Sequence, residues 1–223
     1  MRFLKISMLV LVAFASSSSA QSNPPTMVRN ASALTVTNLQ VEEKNINHVL
    51  AKIAYTYNVP INLEVATNED LLKGKSLKVR LKKGTLADVL DNIIRQKPSY
   101  IWEASDGGIR VFPKSEFRDP LLQTLLETNI SHFTVSKSIG KLNFREALTR
   151  RPELTYLLAS YGVRPSNEAF HRLDIQPFGG DFSLDLENIS VRSILDTVIK
   201  SSRTKYWFIN RNGDNREYLL VNF

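Results

Sequence analysis

The chain has 223 residues and carries 29 Lys and Arg against 22 Asp and Glu, a formal net charge of +7, with three histidines and no cysteine. No disulfide framework and no zinc-thiolate site is therefore available, and a protein of this length must rest on apolar cores of one large or two small domains. The basic residues are spread along the chain rather than gathered in one stripe, which argues against a nucleic-acid footprint.

Residues 1–20 carry the physics of a secretory signal. Arg2 and Lys5 supply the positive start, Leu9 to Ala15 a short apolar run, and Ser18-Ser19-Ala20 the small residues of a cleavage site after Ala20. The run falls short of the roughly 20 residues a span needs, and no later stretch is apolar enough, so the mature chain is expected to have no integral membrane span. Export without a lipid-modified cysteine points to a soluble protein of the periplasm or the exterior. Without Arg2 and Lys5, 27 basic side chains remain against 22 acidic ones. Residues 21–33, with Pro24-Pro25, read as a polar, flexible leader.

Leu34 to Thr37 reads as a short strand. Ile46, Val49, Leu50, Ile53 and Ala54 share one helical face, with Glu42 and Glu43 placed at its positive end. Val59-Pro60 ends that helix, and Ile61, Leu63 and Val65 alternate as a strand. After a polar loop over Asn68 to Gly74, Leu77, Val79 and Leu81 alternate with Lys78, Arg80 and Lys82. Thr85 and Asp88 form a capping-box pair. Leu86, Val89, Leu90, Ile93 and Ile94 recur at helical spacing until Pro98. Tyr100 to Trp102 and Ile109 to Phe112 then flank Asp106-Gly107-Gly108 as a hairpin.

Pro120 opens a short linking helix with Leu121, Leu122, Leu125 and Leu126 on one side. His132 to Val135 is a strand, and a helix carrying Phe144, Ala147 and Leu148 is interrupted by Pro152, resumes through Leu154, Leu157 and Leu158, and stops at Gly162. Leu173 to Ile175 reads as a strand and Phe178-Gly179-Gly180 as a turn. From there a shift of 105 positions maps the second half onto the first. Val79 meets Leu184, Thr85 meets Ser190, Leu90 meets Leu195, Asp91 meets Asp196 and Trp102 meets Trp207. This is an internal duplication by pattern, closed by a hairpin at Asn212-Gly213 and the strand Tyr218 to Val221.

The order Asn45–Ala54, Tyr57–Asn62, Leu77–Leu81, Gly84–Ile94, Tyr100–Trp102 and a Gly-bearing hairpin resembles the short N-terminal (STN) domain of secretins and TonB-dependent receptors. The resemblance covers about residues 36–114 well and the second half from Phe182 onward. It implies a non-catalytic protein-binding module of a Gram-negative periplasm, whose partners are envelope proteins such as a secretin or a TonB-system component. The chain departs from that pattern in ending at Phe223 without a channel or barrel region, which favours an adaptor or accessory role. The expected fold is α+β, two related lobes of helices packed on small mixed β-sheets in the order strand, helix, strand, strand, helix, hairpin. Residues 34–116 form an STN-like domain, 117–131 a linking helix and 132–223 a divergent second copy.

Catalytic chemistry has no motif here. His48, His132 and His171 stand apart, no Gly-x-Ser-x-Gly elbow or phosphate loop occurs, and no metal, cofactor or catalytic residue is expected. The acidic pairs Glu42-Glu43, Glu69-Asp70 and Asp185 with Glu187 read as solvated charge. Asn30, Asn129 and Asn188 open Asn-x-Ser sequons that matter only in a eukaryotic secretory pathway. Two surfaces are expected to bind partners. One is the closing strand Tyr218-Leu219-Leu220-Val221 as an exposed edge, with Ile109–Phe112 likewise toward an edge. The other is the basic face of Lys78, Arg80 and Lys82. The alternatives are an exported hydrolase with an unrecognised site, or a cell-wall or glycan binder using Trp102 and Trp207 as a platform.

Overall fold

The computed structural model describes residues 31–66, 76–105, 108–135, 141–165, 183–212 and 217–222. The signal segment with Ala20, the loop from Asn68 to Gly74, the first hairpin's turn at Asp106-Gly107, the strand at Leu173–Ile175 and the glycine turn at Gly179 lie outside the described residues. So do Gly213 and His171. The architecture is α+β. The first half runs β1 (Thr35–Glu43), α1 (Ile46–Tyr57), β2 (Ile61–Glu64), β3 (Leu77–Thr85), α2 (Leu86–Gln96), β4 (Tyr100–Ser105) and β5 (Gly108–Pro113). The second runs α3 (Pro120–Glu127), β6 (Asn129–Val135), α4 (Lys141–Thr149), α5 (Pro152–Ser160), β7 (Arg164–Pro165), β8 (Leu184–Ser190), α6 (Val191–Ser201), β9 (Tyr206–Asn212) and β10 (Glu217–Asn222).

Local chemistry explains the boundaries. Thr85 Oγ1 accepts from the Asp88 N–H at 3.2 Å, while the Thr85 N–H donates to the Asp88 carboxylate at 2.7 Å, so the box closes the start of α2 from both sides. Asn58 adopts a left-handed backbone with φ 52° and ends α1. Pro120 occupies the first turn of α3, where its missing N–H costs nothing, and Asp119 caps that helix through the Leu121 N–H at 2.9 Å. Glu42 and Glu43 precede α1 but are not part of its first turn. Both belong to β1, and Glu42 stands opposite Lys78 in the ladder with its carboxylate 2.9 Å from the ammonium. The first turn of α1 holds no acidic residue.

Two antiparallel ribbons, β1–β3 and β6–β8, lie apart from one six-stranded sheet ordered β4-β5-β2-β9-β10-β7. The hairpins are antiparallel, but β2 runs parallel to both β5 and β9. Ile109–Phe112 is therefore not near an edge, since β5 lies between β4 and β2. A hairpin signal tells which strands pair with each other and is silent about a third strand entering from elsewhere. Close approach of β5 to β2 also needs Gly108, whose φ is 134° and where a Cβ would run into the Pro60 carbonyl.

The halves correspond in their bonds as well as their order. The Leu86 N–H donates to the Leu34 carbonyl at 2.9 Å, and at the shift of 105 the Val191 N–H donates to that of Thr128 at 3.0 Å. Ser190 Oγ accepts from the Ser193 N–H at 3.2 Å, as Thr85 does from Asp88. Trp102 Nε1 donates to Asp91 Oδ1 at 2.8 Å and Trp207 Nε1 to Asp196 Oδ1 at 3.0 Å. Gly162, with φ 65°, ends α5 as Asn58 ends α1, and the N–H of Val163 folds back to Leu158 as that of Val59 does to Ala54.

Two cores result. One gathers Ile46, Val49, Leu50, Ile53, Leu86 and Leu90 around β2, β4 and β5. The other gathers Leu121, Leu125, Phe133, Phe144, Leu154 and Leu195. The linking helix α3 thus belongs to the second core. Strand β9 serves both, sending Tyr206 to the first and Trp207 with Ile209 to the second. Because side chains alternate along a strand, the cores sit on opposite faces of the sheet. Leu90 and Leu195 are both fully buried. Leu90→Ala and Leu195→Ala should each lower the unfolding free energy by about 2–5 kcal/mol in urea titrations; a change within error at either site would remove it from its core.

Candidate interaction site

The basic face expected on β3 is present and exposed. Leu77 and Val79 point inward, and Lys78, Arg80 and Lys82 outward. Their surroundings differ. Lys78 is neutralised by Glu42, and its backbone N–H and carbonyl are both taken by the Gln96 amide of α2, each at 3.0 Å. Arg80 instead lines an open groove of about 750 Å³ between β3 and α2, together with Lys83, Asp88, Asp91, Asn92 and Arg95. Hydrogen bonds from the Thr85 backbone and hydroxyl hold the Asp88 carboxyl below the usual carboxylate range, so it stays charged and committed to the cap. Asp91 accepts the Trp102 indole and is exposed.

The closing strand is placed differently from expectation. Tyr218 is flanked on both sides, by Arg211 of β9 and by Pro165 of β7. Beyond it, Leu219 pairs with Asn210, and no described strand lies on the other side of Leu219, Leu220 and Val221. The terminal strands of the sheet are β4 and β7.

The constellation that sequence reasoning missed sits where the halves join. Asn62 and Glu64 are buried in mid-sheet, so all four residues of β2 are inside rather than alternate ones. Asn62 Nδ2 donates to Asp196 Oδ1 at 2.8 Å, the same oxygen that accepts the Trp207 indole. Arg110 approaches the other oxygen of Asp196 at 3.8 Å. Glu64 pairs with Arg192, one turn earlier on α6. Backbone bonds run alongside, from the Ile61 N–H to the Lys205 carbonyl at 2.8 Å and from the Val65 N–H to the Ile209 carbonyl at 3.0 Å. The available signal was two polar residues inside the run Ile61 to Val65, together with the matched Asp91 and Asp196.

His48 is exposed on α1. His132 Nε2 lies 2.7 Å from Asp185 Oδ1 across the β6–β8 ribbon, with the Thr134 hydroxyl 3.2 Å from the same carboxylate. Both partners are exposed, as is Glu187. Among the described residues no group of three or more His, Cys, Asp or Glu could hold a metal ion, and no helix is long and apolar enough to cross a membrane. Trp207 is 0% exposed and so has no face on which a sugar could stack. Trp102 is half-buried against the first core.

Two outcomes are expected. Arg192→Met should cost about 3–5 kcal/mol by stranding the buried Glu64 charge, and Glu64→Leu in the same chain should recover most of it, as read from urea unfolding of the double-mutant cycle. Equal loss in the double variant would mean that the ion pair does not govern the joint. On the ribbon, hydrogen bonding from His132 and then Thr134 holds the Asp185 carboxyl low. A depressed carboxylate stabilises the fold above its unfolded value, and that contribution disappears as pH falls through the folded one. His132→Ala should therefore move the Asp185 titration, followed by carboxyl NMR, to higher pH; an unmoved curve would rule the contact out. Comparison of the chain with protein-family models, with curated proteins and with solved structures gave no match.

Proposed function

We propose that this chain is a non-catalytic protein–protein interaction module of a Gram-negative periplasm, of the STN type found ahead of secretin channels and TonB-dependent barrels. The carrying observation is the first half's surface. It combines a sheet edge at β4, on whose outer side no described strand lies, with a groove lined by Arg80, Lys83 and Arg95, next to each other around α2. An open edge supplies main-chain hydrogen bonds for an extended partner, and the flanking charges supply choice. The order β1, α1, β2, β3, α2, β4, β5 supports the family resemblance, and the bonds repeated in the second half support a duplicated module. The segment 1–20 supports export. An envelope protein of a secretin or TonB system is the partner this reading calls for.

The test is capture of partners by tagged full-length chain from Gram-negative envelope extract, alongside a broad hydrolase panel. The reading expects a discrete set of envelope proteins, reduced by the charge reversals Arg80→Glu and Lys83→Glu, and no turnover. Turnover in the panel with no specific capture would replace it with the exported-hydrolase reading.

A further inference from the structure

Every sheet joint of this kind has two sides, and among the described residues only one pair of them is used. The β2 edge of the first half meets the β9 edge of the second. That leaves their counterparts, the β4 edge and the β7 edge, at the two ends of the sheet. The two ends are not equivalent. By the matched turns at Asn58-Val59 and Gly162-Val163, Pro165 stands where Ile61 stands in the first half. Ile61 is the residue whose N–H crosses the joint to Lys205. Proline has no N–H, so β7 lacks that donor. A second copy of the chain therefore cannot repeat that bond of the internal joint through Pro165.

The β4 end keeps the receiving machinery. The Lys114 N–H donates to the Ser99 carbonyl at 2.8 Å, which fixes the antiparallel alternation and turns the backbone groups of Trp102 and Ala104 to the outer edge. At the shift of 105 these are Trp207 and Ile209, and the Ile209 carbonyl is the one that accepts Val65. Side chains match too. Asp91 holds the Trp102 indole as Asp196 holds that of Trp207, but among the described residues only Asp196 also receives an amide, from Asn62. Exposure follows coverage, with Ile101 36% exposed where its counterpart Tyr206 is 3%. One contact is not carried over, because Ala87 replaces Arg192, so no cation awaits an acidic residue at the position of Glu64.

We propose that the outer edge of β4 docks an extended segment of a partner protein, parallel to β4, with a side-chain amide opposite Trp102 donating to Asp91 and apolar residues on either side of it. This deepens the interaction-module reading and rests on it. The segment β2 is the internal precedent for that ligand, with Asn62 in register with Trp207 between Ile61 and Leu63.

The probe is a blocked synthetic peptide with the sequence of residues 59–66, added to the full-length chain and followed by calorimetry and tryptophan fluorescence. Saturable binding is expected. Asp91→Ala in the protein, or Leu for the Asn in the peptide, should each weaken it about tenfold, the worth of one hydrogen bond to a charged group. Ala104→Pro, which removes an outward donor, should abolish it, and Ala104→Val should not. Unchanged affinity in Asp91→Ala overturns the proposal, and that variant serves alone if the proline disturbs the hairpin. Absence of binding at millimolar peptide overturns it as well, as does self-association of the chain that Ala104→Pro abolishes. Envelope capture at wild-type level by Ala104→Pro would sink the edge and leave the interaction reading standing. Peptide binding without any envelope capture would do the reverse.

Discussion

The parallel pairing of β2 with β9 is the constraint on which the rest of the molecule depends. It converts two three-stranded sheets into one and puts the two cores on opposite faces. Parallel strands need a long crossover, and here the crossover is everything from β3 to α6. Backbone bonds alone would tolerate slippage along the strand. The Asn62–Asp196 and Glu64–Arg192 contacts do not, since a slip of one residue would turn both polar side chains into the first core. Buried polar pairs of this kind contribute little net stability, and their value here lies in fixing register.

The repetition of a Trp–Asp hydrogen bond in both halves has a simple logic. A small α+β unit needs a large apolar residue to close its core, and an indole brings a donor that must be satisfied when buried. An aspartate two turns into the preceding helix lies within reach in each half. In the second half the same carboxylate has a further task at the joint. In the first half it remains exposed beside the β3–α2 groove, so the same kind of contact also ties the joint in one place and stays at the surface in the other.

Much of this was legible in the sequence, and the reasons for the remainder are physical. Strand β3, helix α2 and its capping box follow from period-2 and period-3.6 patterns and from local hydrogen bonding, which neighbouring residues determine. The basic side chains Lys78, Arg80 and Lys82 were legible for the same reason. The alternation of Ile61, Leu63 and Val65 shows strand β2 but looks alike whether its polar face meets water or a helix. The partner that decides, Asp196, is 134 residues away and leaves no local trace. The position of β5 inside the sheet and the partial covering of Tyr218 by β7 are likewise non-local pairings. The helix α3 looked like a link because its apolar side gives no direction, and only packing assigns it to the second core.

Strand β9 also has a temporal meaning. A chain is made from its N-terminus, so β1 to β5 are complete long before Tyr206 exists. Until then the first core lacks one of its walls, and β2 has a row of backbone groups facing water on the side that β9 will take. The first half is therefore not a finished unit when it emerges, and its fully buried strand, Ile61 to Glu64, waits more than 140 residues for β9. Contacts of such separation close slowly and leave the early chain open to wrong pairings. The joint that unites the two halves is thus among the contacts that the newly made chain acquires late.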